Sequence, residues 1–303
     1  MYWGRGVLLF SLLAASTAVA AAKPYKEMFP DRTYQNPQAQ QLVEDLDYQQ
    51  GVVALGDIGV ELRVPQNFYF LSASHARKTI VDIWGNPPVS AEKVLGMILP
   101  ATKTPVDDTW GAVITFDEDG YVSDEDAAKI DYSELLQQMQ EATRLASEER
   151  VKQGFSTLRL VGWASPPFYD KTAKKLHWAK ELEFGGDVRH TLNYDVRALG
   201  RKGVLKINFV AGVDQLMEIK DVIPAVMSMP EFTQGFRYED YMPGADKVAA
   251  YGIGGLIAGK ALTKLGFFAV ALAFLKKGWI LVVLALGGVW KLASRWLGSS
   301  PRA

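Results

Sequence analysis

Between residues 156 and 210, apolar and polar positions alternate with the period of two that strands require. Leu176, Trp178, Leu182 and Phe184 share one face, with Lys180 breaking the series. Leu192, Tyr194 and Val196 do the same in the next run, and Leu205, Ile207 and Phe209 in the one after. The other faces carry Glu181, Glu183, Asn193, Asp195, Arg197, Lys206 and Asn208. This predicts a four-strand meander over residues 156–163, 175–184, 190–199 and 203–210, with links that hold Pro166-Pro167, Gly185-Gly186 and Gly200. One buried face and one wet face mark an antiparallel sheet. The turn over residues 185–189 would set His177 opposite Arg197.

Upstream, short apolar or alternating runs predict strands over residues 51–55, 58–64, 68–71, 94–99 and 110–116. Ser72 or Ser74 opens a helix that runs to Trp84, where Gly85 and Pro87-Pro88 stop it. A second helix starts at Asp131, which forms a capping box with Glu134. Tyr132, Leu135, Leu136, Met139, Ala142 and Ala146 give that helix one apolar face, and it ends near Gly154. A third, over residues 214–229 and bent at Pro224, would cover the apolar face of the meander. Residues 23–50 read as a loose, polar lead-in with one helical patch at 39–47. Strands in runs with helices between them predict an α+β fold, an antiparallel sheet with the meander packed against helices.

The two ends of the chain have a different character. Residues 1–22 have the order of a signal peptide: Arg5, an apolar stretch from Gly6 to Ala15, then Ala18-Val19-Ala20 as a small-residue cleavage site. Residues 23–247 would form the soluble domain, 248–297 a membrane segment and 298–303 a basic tail. No uninterrupted apolar run in the membrane segment reaches the about 20 residues of a spanning helix. Two arrangements fit. A helical hairpin turning at Lys276-Lys277 keeps those charges out of mid-bilayer, where each costs a few kcal/mol. A single span instead places Lys291, Arg295 and Arg302 on the cytoplasmic side, as the positive-inside rule favours. Gly255 and Gly259 form a GxxxG pair through which two helices, or two copies of the chain, would approach closely.

Charge sharpens this division. The net charge of −1 over 303 residues hides an asymmetry: every acidic residue lies between Glu27 and Asp246, and from Lys247 onward there are Lys and Arg but no acid. An acid-rich middle argues against a nucleic-acid partner, because phosphates call for Lys and Arg. The bilayer and a membrane or envelope protein are the expected partners. With no cysteine, disulfides, thiolate nucleophiles and cysteine metal sites are excluded.

Residues with chemical potential are few. Asp117, Asp119 and Asp126 fall at the third, fifth and twelfth positions of a calcium loop that begins at Thr115. The first ligand is Thr and the last is Asp where Glu is usual, and an acidic turn followed by a short helix reads the string as well. His75, His177 and His190 lie in no recognisable catalytic motif, and HExxH, GxSxG and a phosphate-binding glycine loop do not occur. Trp163, Pro167, Tyr169 and Asp170 make a rigid aromatic and proline string suited to recognition, or to a packed turn at the end of the sheet. Arg197 and Arg201, with Lys202, cluster near the next turn and read as a solvated hairpin end first, or as a site suited to an anion.

Several ordered strings carry a resemblance. They are 120–127 (GYVSDEDA), 162–164 (GWA) with 167–170 (PFYD), 176–179 (LHWA), 192–194 (LNY), 235–241 (GFRYEDY) and 246–252 (DKVAAYG). Together they resemble a bacterial family of uncharacterised membrane-anchored proteins, domain of unknown function 2167. The resemblance implies an envelope location, and it carries no catalytic residues and no cofactor. The expected role is a membrane-anchored envelope protein with a non-catalytic binding or interaction ectodomain. An envelope hydrolase using carboxylates on the meander's polar face, and an accessory subunit of a transport system, are the alternatives.

Overall fold

The computed structural model of the chain describes residues 21–152 and 154–259. The expected signal peptide up to residue 20, most of the expected membrane segment and the basic tail lie outside the described residues. The strands are β1 (Ala22–Lys23), β2 (Tyr48–Gln49), β3 (Gly51–Ala54), β4 (Val60–Val64), β5 (Phe68–Ser72), β6 (Val94–Pro100), β7 (Gly111–Asp117), β8 (Leu158–Asp170), β9 (Lys175–Phe184), β10 (Thr191–Leu199), β11 (Val204–Gly212) and β12 (Pro230–Phe232). The helices are α1 (Tyr25–Met28), α2 (Pro37–Glu44), α3 (Ala73–Lys78), α4 (Tyr132–Lys152), α5 (Leu216–Ser228) and α6 (Ile253–Ala258). Nine strands form one sheet in the order β1-β2-β5-β6-β7-β11-β10-β9-β8, and β12-β4-β3 form a small second sheet. The α+β class and the large antiparallel sheet are as expected. Among the described residues no helix is long and apolar enough to cross a membrane.

The described residues divide into two compact units, one within 21–122 and 161–249 and the other within 123–160 and 250–259. In the first unit the sheet is buried on both faces. Phe68 and Phe70 of β5 and Ile98 of β6 join Tyr194, Val196, Ile207 and Phe209 in one core, closed by Ile219, Ile223 and Val226 of α5 and by Leu62 of the small sheet. This is the role expected of the helix containing Pro224. Tyr69, Leu71, Met97 and Leu99 point the other way, into a second core with Tyr25, Phe29, Val43 and Tyr48. The lead-in is therefore not loose. Tyr48 stacks edge-on against Tyr69 at 4.9 Å and against Phe29 at 5.3 Å, so aromatic burial fixes residues 25–48 to the sheet.

The meander differs from expectation in two ways. β8 does not stop at Trp163 but runs through Pro166-Pro167 to Asp170. It is an edge strand, where a missing N–H removes no ladder bond if it faces outward. The β9–β10 register also differs by one residue: His177 pairs with Val196, Trp178 with Asp195 and Leu176 with Arg197. A one-residue slip exchanges the faces. Leu176 and Trp178 thus lie on the face of Asp195 and Arg197, and His177 on the face of Tyr194. Leu176, Trp178 and Ala179 are all buried, so alternation in β9 does not mark an inner face.

In the second unit α4 opens where Asp131 predicts. Asp131 Oδ1 accepts the N–H groups of Ser133 at 2.8 Å and Glu134 at 3.1 Å. Asp126 accepts the N–H of Ile253 at 2.9 Å and of Gly254 at 3.0 Å, at the start of α6.

Back in the first unit, a Cβ added at Gly111 of β7 would lie 2.5 Å from the ring of Trp84. Gly111→Ala is expected to destabilise the protein by about 1–3 kcal/mol, the usual range for overpacking, measured as a lowered urea midpoint with an unchanged slope.

Candidate functional site

Three neighbouring strands place polar side chains on one face of the sheet. The register sets Asn208 of β11 opposite Asp195 of β10, and Lys206 opposite Arg197. Asp195 and Arg197 are only 3% and 8% exposed. Arg197 Nη2 donates to Asp195 Oδ1 at 2.7 Å, and Nη1 donates to the Val196 carbonyl at 2.9 Å. The Asn208 amide donates to the same Asp195 Oδ1 at 2.8 Å and also to Asn193 Oδ1. Lys180 Nζ stands 3.3 Å from Asp195 Oδ2, an ion pair without hydrogen-bond geometry, since Oδ2 accepts no hydrogen bond from the described residues. The Arg197 guanidinium lies 5.0 Å over the ring of Trp178. Lys206 pairs with Asp117 at 3.3 Å.

The electrostatics of this cluster have a definite sign. Burial alone pushes the Asp195 carboxyl up, but the Arg197 and Lys180 charges, with the hydrogen bonds from Arg197 and Asn208, outweigh it and hold the carboxyl below its ordinary value. Asp195 is therefore an ionised anchor at neutral pH.

Against this polar floor stands a curved segment. After α3 the backbone widens into a π-helical turn, Thr79–Ile83, a geometry often found at functional sites. Trp84 follows, its Nε1 donating to the Pro105 carbonyl at 3.0 Å, and the Asn86 amide donates to the Ile80 carbonyl at 3.2 Å. Between this segment and the strands is a cavity of about 350 Å³. Ile80, Trp84, Val113 and Val210 give it apolar walls, and Asp195, Arg197, Lys206 and Asn208 its polar floor.

A second cavity, of about 440 Å³, lies at the β10–β11 turn between Ile58, Phe116 and Phe236. Arg201 and Asp246 line it and form a two-pronged ion pair, at 2.7 and 2.9 Å. Arg201, with the Met242 N–H, holds the Asp246 carboxyl below its ordinary value. Gly120 in its wall has φ +100°, and a Cβ there would lie 2.4 Å from the Lys247 carbonyl oxygen.

A family model for proteins of unknown function, DUF2167, matches residues 47–287. The chain belongs to the DUF2167 family. No curated protein matches it. Among solved structures it is similar to the cyanobacterial PsbP protein of Synechocystis sp. PCC 6803, at 11% identity and a TM-score of 0.34, over 60% of this chain and 91% of that one. It is also similar to the Ran-binding protein Mog1p of Saccharomyces cerevisiae, at 8% identity and a TM-score of 0.33, over 62% and 96%. Likeness at this level says nothing of what a DUF2167 chain binds.

The residues singled out in the DUF2167 sequence fall in separate places. Arg197 belongs to the buried cluster and Arg201 to the second cavity. Trp163, Pro167, Tyr169 and Asp170 lie along β8. Asp170 Oδ1 accepts the N–H groups of Thr172 and Ala173, both at 2.9 Å, and so shapes the turn into β9. Of the calcium-loop residues Asp117, Asp119 and Asp126, Asp117 pairs with Lys206 and Asp126 accepts the N–H of Ile253 at the start of α6. Among the described residues no group of three or more His, Asp or Glu side chains could hold a metal ion. Sequence reasoning missed Asp195 as the anchor of the cluster, although polar residues at matched positions of three successive strands were the available signal. It also missed that His190 has an orienting carboxylate, Glu181 Oε1 at 2.5 Å.

Two expectations follow for the cluster. Arg197→Met leaves a buried carboxylate short of a partner and is expected to cost about 3–5 kcal/mol, whereas Arg197→Met with Asp195→Asn costs less than the sum of the single changes; chemical denaturation of the four proteins checks both. Because the folded carboxyl of Asp195 lies below the ordinary Asp value of about 3.9, its contribution is full above that pH and is lost as pH falls through the folded value. The acid limb of the stability–pH curve should be shallower in Asp195→Asn than in the unaltered chain.

Proposed function

We propose that this DUF2167 chain is a bacterial envelope protein, anchored in the inner membrane by a segment within residues 248–297, whose acid-rich domain faces the periplasm and binds a ligand without transforming it. The observation that carries the binding role is the buried Asp195–Arg197 pair flooring a cavity with apolar walls. A general acid needs a carboxyl that holds its proton near neutral pH. Asp195 lies on the other side, ionised and committed to three donors or cations, which suits fixed recognition of charge and not proton transfer. This weighs against a hydrolase built from the carboxylates of this face.

The address rests on the order of residues 1–22 and on the apolar, acid-free stretch after Lys247. Cleavage after Ala20 keeps Ala22 and Lys23, which pair with Gln49 and Tyr48 in the sheet. Fractionation of cells making the full chain tests the address. The chain should pellet with the inner membrane, resist carbonate and dissolve in detergent, and protease added to spheroplasts should digest its acid-rich domain. A soluble cytosolic chain that retains Met1 would overturn the proposal.

A further inference from the structure

We infer that the cavity between the Thr79–Ile83 turn and strands β7, β11 and β10 is a binding site for a small monoanionic carboxylate with a ring-sized apolar body. This rests on the binding role proposed above and names the ligand class for it.

Four observations point the same way. The first is the donor inventory of Arg197. A guanidinium carries five N–H groups in a fixed fork. In Arg197 one goes to the Val196 carbonyl and one to Asp195. The remaining donors have no acceptor among the described residues, although the side chain is nine-tenths buried and lines the cavity. No nitrogen of Arg197 is sealed off without a partner, so these donors are open to an incoming acceptor, and a carboxylate is the partner whose geometry matches the fork.

The second is the charge balance. The cavity is lined by two cations, Arg197 and Lys206, and one carboxylate, Asp195. The outer partners, Lys180 on Asp195 and Asp117 on Lys206, cancel each other. One positive charge is left over. A monoanion neutralises the site, whereas a phosphate dianion would leave a surplus negative charge beside Asp195.

The third is the shape. Ile80, Trp84, Val113 and Val210 form an apolar wall over that floor, and the volume of about 350 Å³ falls in the lower part of the range for small-molecule sites. Inorganic ions need no such wall; a ring does. The fourth is how that wall is held. The ring of Trp84 sits where a Cβ on Gly111 would be, and its indole nitrogen is fixed to the Pro105 carbonyl. The wall is therefore preorganised, which lowers the entropic cost of binding.

The test is a ligand-observed NMR titration of the full chain in nanodiscs, with empty nanodiscs as the blank. The probes are phenylacetate, its neutral isostere phenylacetamide, and inorganic phosphate. Phenylacetate should saturate at least tenfold more tightly than either of the others. Two variants that leave the Asp195–Arg197 pair intact locate the site. Lys206→Gln removes the surplus charge and should weaken phenylacetate about tenfold. Val210→Phe fills the cavity from a wall residue that is 38% exposed and should abolish saturation. Melting curves show that each variant is folded. Equal affinity for phenylacetamide would keep a binding cavity and overturn the carboxylate assignment. Tighter binding of phosphate, no saturable binding of any probe, or phenylacetate binding unchanged in both folded variants would overturn the site itself. None of these results bears on the membrane address, which the fractionation decides separately.

Discussion

Asp195 holds its carboxylate out of water on an interior strand of a nine-stranded sheet. A lone charge in that position would neutralise itself or break the fold. It persists because Arg197 comes from the same strand two residues on, Asn208 from the strand on one side and Lys180 from the strand on the other. The ladder places all four, so the pairing of β9, β10 and β11 and the survival of the charge depend on each other. A slip of one residue in either ladder would turn the donors to the opposite face, among Tyr194, Val196 and Ile207. The cluster therefore acts as a register lock as well as a recognition floor.

The sheet has two apolar cores because β5 and β6 carry apolar residues on both faces. Toward β5 and β6 both faces are closed by hydrocarbon and aromatic side chains, Phe70 and Ile98 on one side and Tyr69 and Met97 on the other. Toward β10 the second core gives way to the charged cluster. Ile80 belongs to that core and also lines the cavity, so the cavity lies where apolar packing ends and charge begins. Its mixed lining follows from that position, with one wall inherited from the core and one floor from the polar strands.

Most elements were legible because each carries a local signature. Asp131 caps its helix as the capping pattern requires, and the runs at 94–99 and 110–116 are strands almost to the residue. The rest depended on partners that local patterns do not show. Register in β9 was hidden because Trp178 and Ala179, on opposite faces, are both buried. The extent of β8 was hidden because two prolines argue for a link unless the strand is known to be an edge. The lead-in looked polar because Tyr25, Phe29 and Tyr48 are spaced among Lys, Glu and Gln, and only Tyr69 of a later strand gathers them. Of the site, Arg197 was in view from the sequence. Its cavity was not, since part of the wall comes from residues 80–90, more than a hundred positions upstream.

Where the chain leaves the first unit, composition and structure coincide. Asp246 is the last acidic residue of the sequence, and its carboxylate is taken by Arg201 and by the Met242 N–H. Immediately after it, Tyr121 N–H donates to the Lys247 carbonyl and Ala249 N–H to the Tyr121 carbonyl, both at 2.8 Å. The Tyr121 ring stacks on Tyr241 at 3.9 Å and on Tyr238 at 4.5 Å. The switch from acid-bearing to acid-free chain is thus made at a fastening, where an ion pair, two backbone bonds and stacked rings fix the exit point to the end of β7.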